Sequence, residues 1–251
     1  MSAANPFASR PALFKRLSSA FVQLATPRLK TASQVLMAGD LEPPDGTVAG
    51  LFARNALRNG TFRSAAGSAV PHVYDLTPAY ERAALLATIP DVDPENAAAP
   101  IGPALHLLQR VTVIGRAPAG MTLLSDVTTS PYPAYRSAGA SRLLGALLRA
   151  ARAIGESLSF ESSGELLWTR VRQQFRAMLT DLWQAGALRG RTPDEAFQVR
   201  CDRVTMTQSD LDAGRVVVHV QLEIATAIES LHVTLALSEG GRAALVDGGA
   251  V

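Results

Sequence analysis

Between residues 165 and 237 the hydrophobic period changes from that of a helix to that of a strand, and this change restricts the possible folds. Apolar residues in 165–186 step by three and four, which is the spacing of one helix face. From Phe197 onward apolar and polar residues alternate, which is typical of strands with one buried face. The pattern predicts an α+β fold, with an antiparallel or mixed sheet packed against amphipathic helices.

The helix predicted at residues 165–186 carries a continuous apolar stripe. Both tryptophans of the chain lie on or beside this stripe. Aromatic residues at helical spacing usually pack in a core. The predicted core side chains are Trp168, Val171, Phe175, Met178, Leu182 and Trp183.

A second amphipathic helix is predicted at residues 140–158. Its apolar positions repeat at the same spacing, and a separate face carries Arg142, Arg149, Arg152 and Glu156. Such a face can grip an acidic partner or be an ordinary solvated surface. The sequence alone favours the solvated surface.

Three one-sided strands are predicted at residues 197–202, 216–224 and 231–237. In the last strand the apolar positions are Leu231, Val233, Leu235 and Leu237. Residues 238–251 are rich in glycine and alanine, which predicts a flexible C-terminal tail.

The N-terminal 45 residues differ in composition from the rest, because they have no acidic residue before Asp40 but several basic ones. The spacing of the apolar residues, Phe14, Leu17 and Phe21 among them, predicts a short amphipathic helix at 12–25. It could be a targeting or membrane-surface segment, or an arm that orders on a neighbouring subunit. An arm is favoured because the apolar core of a secretion signal is missing.

The stretch between the arm and the helices is less regular. Residues 48–54 fit either a short strand or the start of a helix. Four prolines at 85–103 favour a surface loop over residues 88–103. The apolar run at 111–114 predicts a buried strand, and residues 115–138 are expected to be irregular.

The sequence contains no recognisable catalytic or metal-binding motif. Its four histidines share no ligand spacing, and HExxH, CxxC, Walker and nucleophile-elbow motifs do not occur. Cys201 is the only cysteine, so no intrachain disulfide forms, and its place on an apolar strand face predicts an inert buried thiol. We therefore expect a protein that is not an enzyme and needs no cofactor or metal.

Bulk composition agrees with a folded protein of 251 residues, of which 47% are hydrophobic and 18% charged. No run approaches the roughly 20 apolar residues of a membrane span, so no membrane insertion is expected. The net charge of +2 permits an anionic partner without requiring one, and no nucleic-acid partner is expected.

Residues 160–237 resemble the C-terminal domain of contractile phage tail sheath proteins and their relatives in contractile injection systems. The matching segments are FESSGELLWTRVRQQFRAMLTDLWQAGALRG at 160–190, TPDEAFQVRCD at 192–202 and TMTQSDLDAGRVVVHVQLE at 205–223. A weaker match is PPDGTVAGLFARNALRNGTFRSAAG at 43–67. About two thirds of the chain is covered, the last third most specifically.

The chain also departs from the family pattern. It lacks the PGVY-type opening and the peripheral inserted domain, and Ala227-Ile228-Glu229 replaces the proline usually found between the last two strands. These departures keep open whether it is the main contracting subunit or a non-contracting sheath-like ring at the baseplate or cap.

The resemblance implies a structural subunit that polymerises with copies of itself in stacked six-fold rings around an inner tube protein and stores or releases contraction energy. Baseplate or cap proteins would be further partners. Assembly would take place in the bacterial cytoplasm, as part of a virion tail or of an injection particle that can be released. Extended arms would add strands to neighbouring subunits.

On this resemblance the chain has an N-terminal arm at 1–45, a core domain at 46–237 and the tail at 238–251, with the strand at 230–237 a candidate part of a C-terminal arm. The inter-subunit arm candidates are Leu231, Val233, Leu235, Leu237, Phe14, Leu17 and Phe21. The inner-tube candidates are Arg170, Arg172 and Arg176, with Arg142, Arg149 and Arg152 as rivals.

Two readings from other classes remain. One is a small α+β enzyme or ligand-binding protein with a pocket around residues 115–138, where Arg116, Asp126 and Arg136 are the charged residues. The other is an anion- or nucleic-acid-binding module acting through its arginine faces. Neither has a supporting motif.

Overall fold

The alternation in the last third of the chain produces a four-stranded antiparallel sheet in the computed structural model. The structure describes residues 18–31, 41–92, 100–130, 132–157, 164–225, 230–238 and 242–247. The chain divides into two compact units, Met1–Ser141 and Arg142–Val251, rather than the single core predicted at 46–237. Each described strand pairs within its own unit, so each unit closes its own sheets.

The first unit contains β1 (Ala25–Thr26), β2 (Arg28–Thr31), α1 (Asp45–Asn59), β3 (Val73–Thr77), α2 (Arg82–Leu86), β4 (Thr88–Val92), β5 (Pro100–His106), β6 (Thr112–Ala117), β7 (Gly120–Leu123) and α3 (Pro133–Arg136). α4 (Ala138–Ser157) begins at its end. The second unit contains the rest of α4, then α5 (Glu165–Gln184), α6 (Pro193–Ala196), β8 (Phe197–Arg200), α7 (Gln208–Asp212), β9 (Val216–Glu223), β10 (Ser230–Ser238) and β11 (Arg242–Asp247).

Small sheets make up the first unit. β6 lies between β1, to which it is parallel, and β7, to which it is antiparallel. β2 pairs with β3, and β4 pairs with β5, both antiparallel. One apolar cluster joins Leu29 of β2, Leu51 of α1 and Ile114 of β6. A second cluster is formed by Leu85, Leu107, Val111 and Val113. The buried strand predicted at 111–114 is thus found in β6.

Residues 18–31, which the predicted N-terminal arm includes, belong to the first unit in this structure. These residues are not helical beyond position 17, contrary to the helix predicted at 12–25. They form β1 and β2, and Leu29 is fully buried in the first unit. The apolar spacing was typical of a helix, but these residues are strands because β1 pairs with β6 and β2 pairs with β3. Phe14 and Leu17 lie outside the described residues.

Two further predictions for the first unit need correction. The surface loop expected at 88–103 contains β4 and most of β5, which pair as a hairpin with register shifts. Its prolines are compatible with strands because Pro100 opens β5 and the pairing is irregular. The irregular stretch expected at 115–138 contains β7 and α3.

In the second unit the sheet order is β11-β10-β9-β8, with each neighbouring pair antiparallel. The predicted alternation is confirmed on β8 and β9: Phe197 and Val199 are buried while Gln198 and Arg200 are exposed, and His219 is the exposed member of β9. On β10, Val233, Leu235 and Leu237 are buried. One face of this sheet is therefore apolar and the other polar.

α5 begins and ends close to the predicted helix at 165–186. Trp168, Val171 and Phe175 are buried, and Phe175 is fully inaccessible. The buried stripe continues through Leu167 and Leu179. Met178, Leu182 and Trp183, which were predicted as core, are only half-buried. The stripe is centred about one residue away from the predicted line in the last turns, so Leu179 takes the buried position.

The prediction of a flexible tail at 238–251 is wrong at Arg242–Asp247, which forms β11 on the edge of β10. The glycine and alanine content suggested mobility, but the Ala-Ala-Leu-Val run can satisfy its backbone by pairing. β10 is consequently an interior strand of its own sheet. No helix among the described residues is long and apolar enough to cross a bilayer.

Candidate assembly surfaces

The three arginines of α5 do not share one environment. Arg170 is exposed, whereas Arg172 is half-buried and close enough to Cys201 for its charge to act on the pKa of that thiol. The Nη2 atom of Arg176 lies 3.1 Å from Oδ1 of Asp194 on α6. Of this set, Arg170 and Arg176 are exposed and Arg172 is half-buried.

The arginines of α4, which are the alternative inner-tube candidates, also differ in exposure. Arg149 and Arg152 are exposed, and Arg142 is half-buried. A Cβ atom at Gly145 would lie 3.5 Å from Nη1 of Arg149, so this guanidinium lies back along the helix over the glycine. Glu156 is exposed one turn further on. Arg149 and Arg152 therefore form a compact exposed basic surface, moderated by one carboxylate.

The polar face of the second unit's sheet carries a shallow depression of about 210 Å³. Gln198 and Arg200 of β8 lie opposite Gln221 and His219 of β9. The Nη2 atom of Arg200 donates to Oε1 of Gln198 at 3.3 Å. Hydrogen-bonding groups on a flat sheet face suit contact with another polar surface.

The arm candidates on β10 lie in the interior of the sheet. Val233, Leu235 and Leu237 are buried, and their strand pairs with β9 on one side and β11 on the other. The backbone of Leu231 lies opposite Leu222 of β9. The outermost strands of this sheet are β8 and β11. Phe21 is 56% exposed in the first unit.

Cys201 follows β8 directly and is 1% exposed. Burial raises the pKa of its thiol to about 12, although the nearby charge of Arg172 acts in the opposite direction. At neutral pH the group is therefore a protonated, inert thiol, in agreement with its place on the apolar strand face. Among the described residues no group of three or more His, Cys, Asp and Glu side chains is arranged to hold a metal ion.

Asp126 is the buried carboxylate that sequence reasoning placed near a pocket. Its Oδ1 accepts from Nε2 of Gln23 at 3.1 Å, and its Oδ2 accepts from the backbone N of Ala65 at 2.8 Å. Ser19 is held separately, because its backbone N donates to Oγ1 of Thr129 at 3.0 Å. Thr129 and Asp126 thus fix the two ends of residues 19–23 in the first unit. In the sequence, a single carboxylate among serines and threonines at 125–130 was the feature that could have predicted this role for Asp126.

No family model and no curated protein matches the chain. Solved structures do match. A chain of the six-fold symmetrised baseplate of the anti-feeding prophage (AFP) aligns at 23% identity and a TM-score of 0.64, over 82% of this chain and 52% of that one. A chain of the contracted sheath of an extracellular contractile injection system, PVC, aligns at 22% and 0.62, over 89% and 58%. A chain of the contracted AFP helical sheath aligns at 22% and 0.65, over 82% and 53%.

The fold is therefore that of contractile injection system sheath proteins, and the resemblance drawn from residues 160–237 is confirmed for the fold. The chain spans a little over half the length of these solved chains.

Proposed function

We propose that the chain is a structural subunit of a contractile tail sheath, in a phage tail or a contractile injection system. The observation that carries this proposal is the fold match over 82% to 89% of the chain to AFP and PVC sheath and baseplate structures. Two side chains could have suggested catalysis. Cys201 is a protonated buried thiol, and the carboxylate of Asp126 already accepts hydrogen bonds from Gln23 and Ala65.

The subunit would associate with copies of itself in stacked six-fold rings around an inner tube, with baseplate or cap proteins at the ends. Assembly would take place in the bacterial cytoplasm and the particle would act outside it. Alternative packing of many identical subunits would store and release contraction energy, because small gains in contact add over many copies. No covalent chemistry is required.

Links between subunits would use strand addition. The proposed N-terminal arm is limited to the residues before Ser18, since 18–31 belong to the first unit. The proposed C-terminal link is β11 rather than β10, because β11 pairs only with β10 among the described strands. We propose that β11 exchanges onto the β10 edge of a neighbouring copy. Main-chain pairing would keep copies linked while rigid units shift.

Contact with the inner tube would be electrostatic. Arg149 and Arg152 of α4 and Arg170 and Arg176 of α5 are exposed basic side chains of the two candidate helices. Exposed arginines meeting an acidic surface give association that weakens as salt is added. Arg172 and Arg142 are half-buried, and Arg176 is paired with Asp194, so these three would contribute less.

A second candidate is a non-contracting sheath-like ring at the baseplate or cap. It is favoured by the match to a chain of the AFP baseplate. The two functions differ in copy number, because a ring has a small fixed number of subunits and a sheath has many.

Negative-stain microscopy of the purified chain, alone and with its inner-tube protein, tests both. Striated tubes of many rings are expected for the sheath, and isolated rings for the alternative. Featureless monomers under all conditions, including low salt and excess tube protein, would contradict both proposals.

A further inference from the structure

A groove of about 550 Å³ lies in the first unit. Its apolar lining comes from β3, α2 and β6, with Leu76, Leu85, Leu86 and Val113 among the contributors. Leu86 is 48% exposed there. An open apolar channel of this size is large enough to bury side chains of a bound ligand.

One wall of the groove is a strand edge that the described part of the chain leaves unpaired. β1 pairs with Thr112 and Val113 and then stops, because Pro27 has no N–H to continue the ladder. No other described strand pairs with residues 114–117 on that side of β6. The backbone of this stretch is therefore a template for one more strand.

The direction of the free backbone groups follows from the pairing of β6. The carbonyl of Val113 accepts from N of Leu124 at 2.7 Å on the β7 side, whereas N of Thr112 donates to the carbonyl of Leu24 at 2.8 Å on the β1 side. Because these directions alternate along a strand, the N–H and C=O of Arg116 point to the β1 side. Arg116 also lines the groove.

The charges around the groove indicate the chemistry of its ligand. Arg82 and Arg116 are exposed on its lining, and neither forms an ion pair with a described residue. Asp75 is the acidic residue of the lining, and its Oδ1 accepts from the backbone N of Leu76 at 2.9 Å. An excess of basic groups beside an apolar channel favours a ligand with apolar side chains and a carboxylate.

We propose that this groove binds an extended peptide segment of a partner protein, which adds to β6 as a strand beyond β1. Alternate side chains of the segment enter the apolar channel, and an acidic residue pairs with Arg82 or Arg116. A helix fits less well, since its backbone groups are already bonded and would leave the edge of β6 unused. The site goes beyond the proposed function and does not depend on it.

The test uses a yeast-displayed library of random 12-residue peptides, selected on the full-length chain. The expected consensus has apolar residues at every second position and an aspartate or glutamate.

The binding of a synthetic consensus peptide to four variants of the chain is then measured by fluorescence anisotropy. Leu86→Arg blocks the channel, and Arg116→Pro removes the edge N–H without touching a β7 bond. Arg116→Ala removes the charge alone, and Leu57→Arg is the control, because Leu57 is 90% exposed outside the groove.

Leu86→Arg and Arg116→Pro should each weaken binding by about tenfold or more, Arg116→Ala by less, and Leu57→Arg should leave it unchanged. Circular dichroism of each variant checks that it is folded. A consensus with helical spacing would overturn the proposal, as would equal binding to the folded Leu86→Arg variant. Failure of the library to enrich any peptide over the Leu86→Arg counterselection would overturn it too. None of these results bears on assembly into rings or tubes.

Discussion

The guanidinium of Arg176 on α5 lies 3.1 Å from the carboxylate of Asp194 on α6, so one arginine expected to face an inner tube already has a partner in its own chain. The two side chains are 48% and 80% exposed, so solvent screens the pair. The pair joins the short α6 to α5.

A double-mutant cycle with Arg176→Gln and Asp194→Asn should give a coupling free energy of roughly 0.2–1 kcal/mol, as is usual for exposed ion pairs. Urea unfolding of the four proteins measures it. Co-assembly with the tube should be little changed by Arg176→Gln, and a strong loss of tube binding without loss of stability would contradict the assignment.

The exposed basic surfaces give a separate prediction about the tube. The double variant Arg149→Glu/Arg152→Glu, or the single variant Arg170→Glu, should reduce co-sedimentation with the inner-tube protein several-fold at low salt, because exposed charges steer association. Arg58→Glu on the exposed end of α1 is the matched control. Tube-bound sheath persisting when both surfaces are reversed together would exclude an electrostatic tube contact through α4 and α5.

Burial of Phe175 is expected to contribute strongly to the free energy of unfolding of the second unit. It is 0% exposed on α5, so Phe175→Ala should lower the free energy of unfolding by about 3–5 kcal/mol through lost burial and a residual cavity. Leu166→Ala on the same helix removes a side chain that is 82% exposed and should change it by less than about 0.5 kcal/mol. Chemical denaturation followed by tryptophan fluorescence distinguishes the two, and equal effects would contradict the packing of α5.

Cys201 should react with iodoacetamide only when the protein unfolds, since its pKa is raised to about 12 in the folded chain. The ordinary thiol ionises near 9.0, so between that pH and about 12 the unfolded state binds fewer protons than the folded state. Stability should therefore fall as pH rises through this window, and fall less in Cys201→Ala. Rapid alkylation of the native protein at pH 8 would contradict a buried thiol.

Truncation separates the arm from the first unit. Deleting residues 2–17 should abolish long polymers while the chain stays folded, if those residues form the arm. Extending the deletion to residue 31 should also unfold the first unit, because it removes β1, β2 and the buried Leu29. Thermal melting and negative-stain images report the two effects. Undiminished tubes from the shorter deletion would remove the arm hypothesis.

The parts of the fold that the sequence predicted are those where local pattern and burial agree. α5 follows its apolar stripe, and β8 and β9 follow their alternation, because each buries one face against a single layer. The sequence predicted the wrong structure for segments that become strands through backbone pairing. β11 is flanked by Gly and Ala, and β4 and β5 contain prolines, so none of the three has the composition typical of a strand.

The same limit applies to the candidate surfaces. The family resemblance put three arginines of α5 in one group, but only tertiary structure shows that Arg172 lies near Cys201 and Arg176 beside Asp194. The apolar spacing of residues 12–25 predicted a helix. It could not reveal that Ser19 and Gln23 bond to Thr129 and Asp126, more than a hundred residues away.

The position of β11 has a mechanical consequence. Its five backbone pairs, from Thr234–Asp247 to Ser238–Arg242, form a single seam along β10. Opening that seam leaves the ladders of β10 with β9 and of β9 with β8 unbroken. Pulling on this strand therefore loads one row of main-chain bonds, so the joint can yield and re-form while β8, β9 and β10 stay paired with one another.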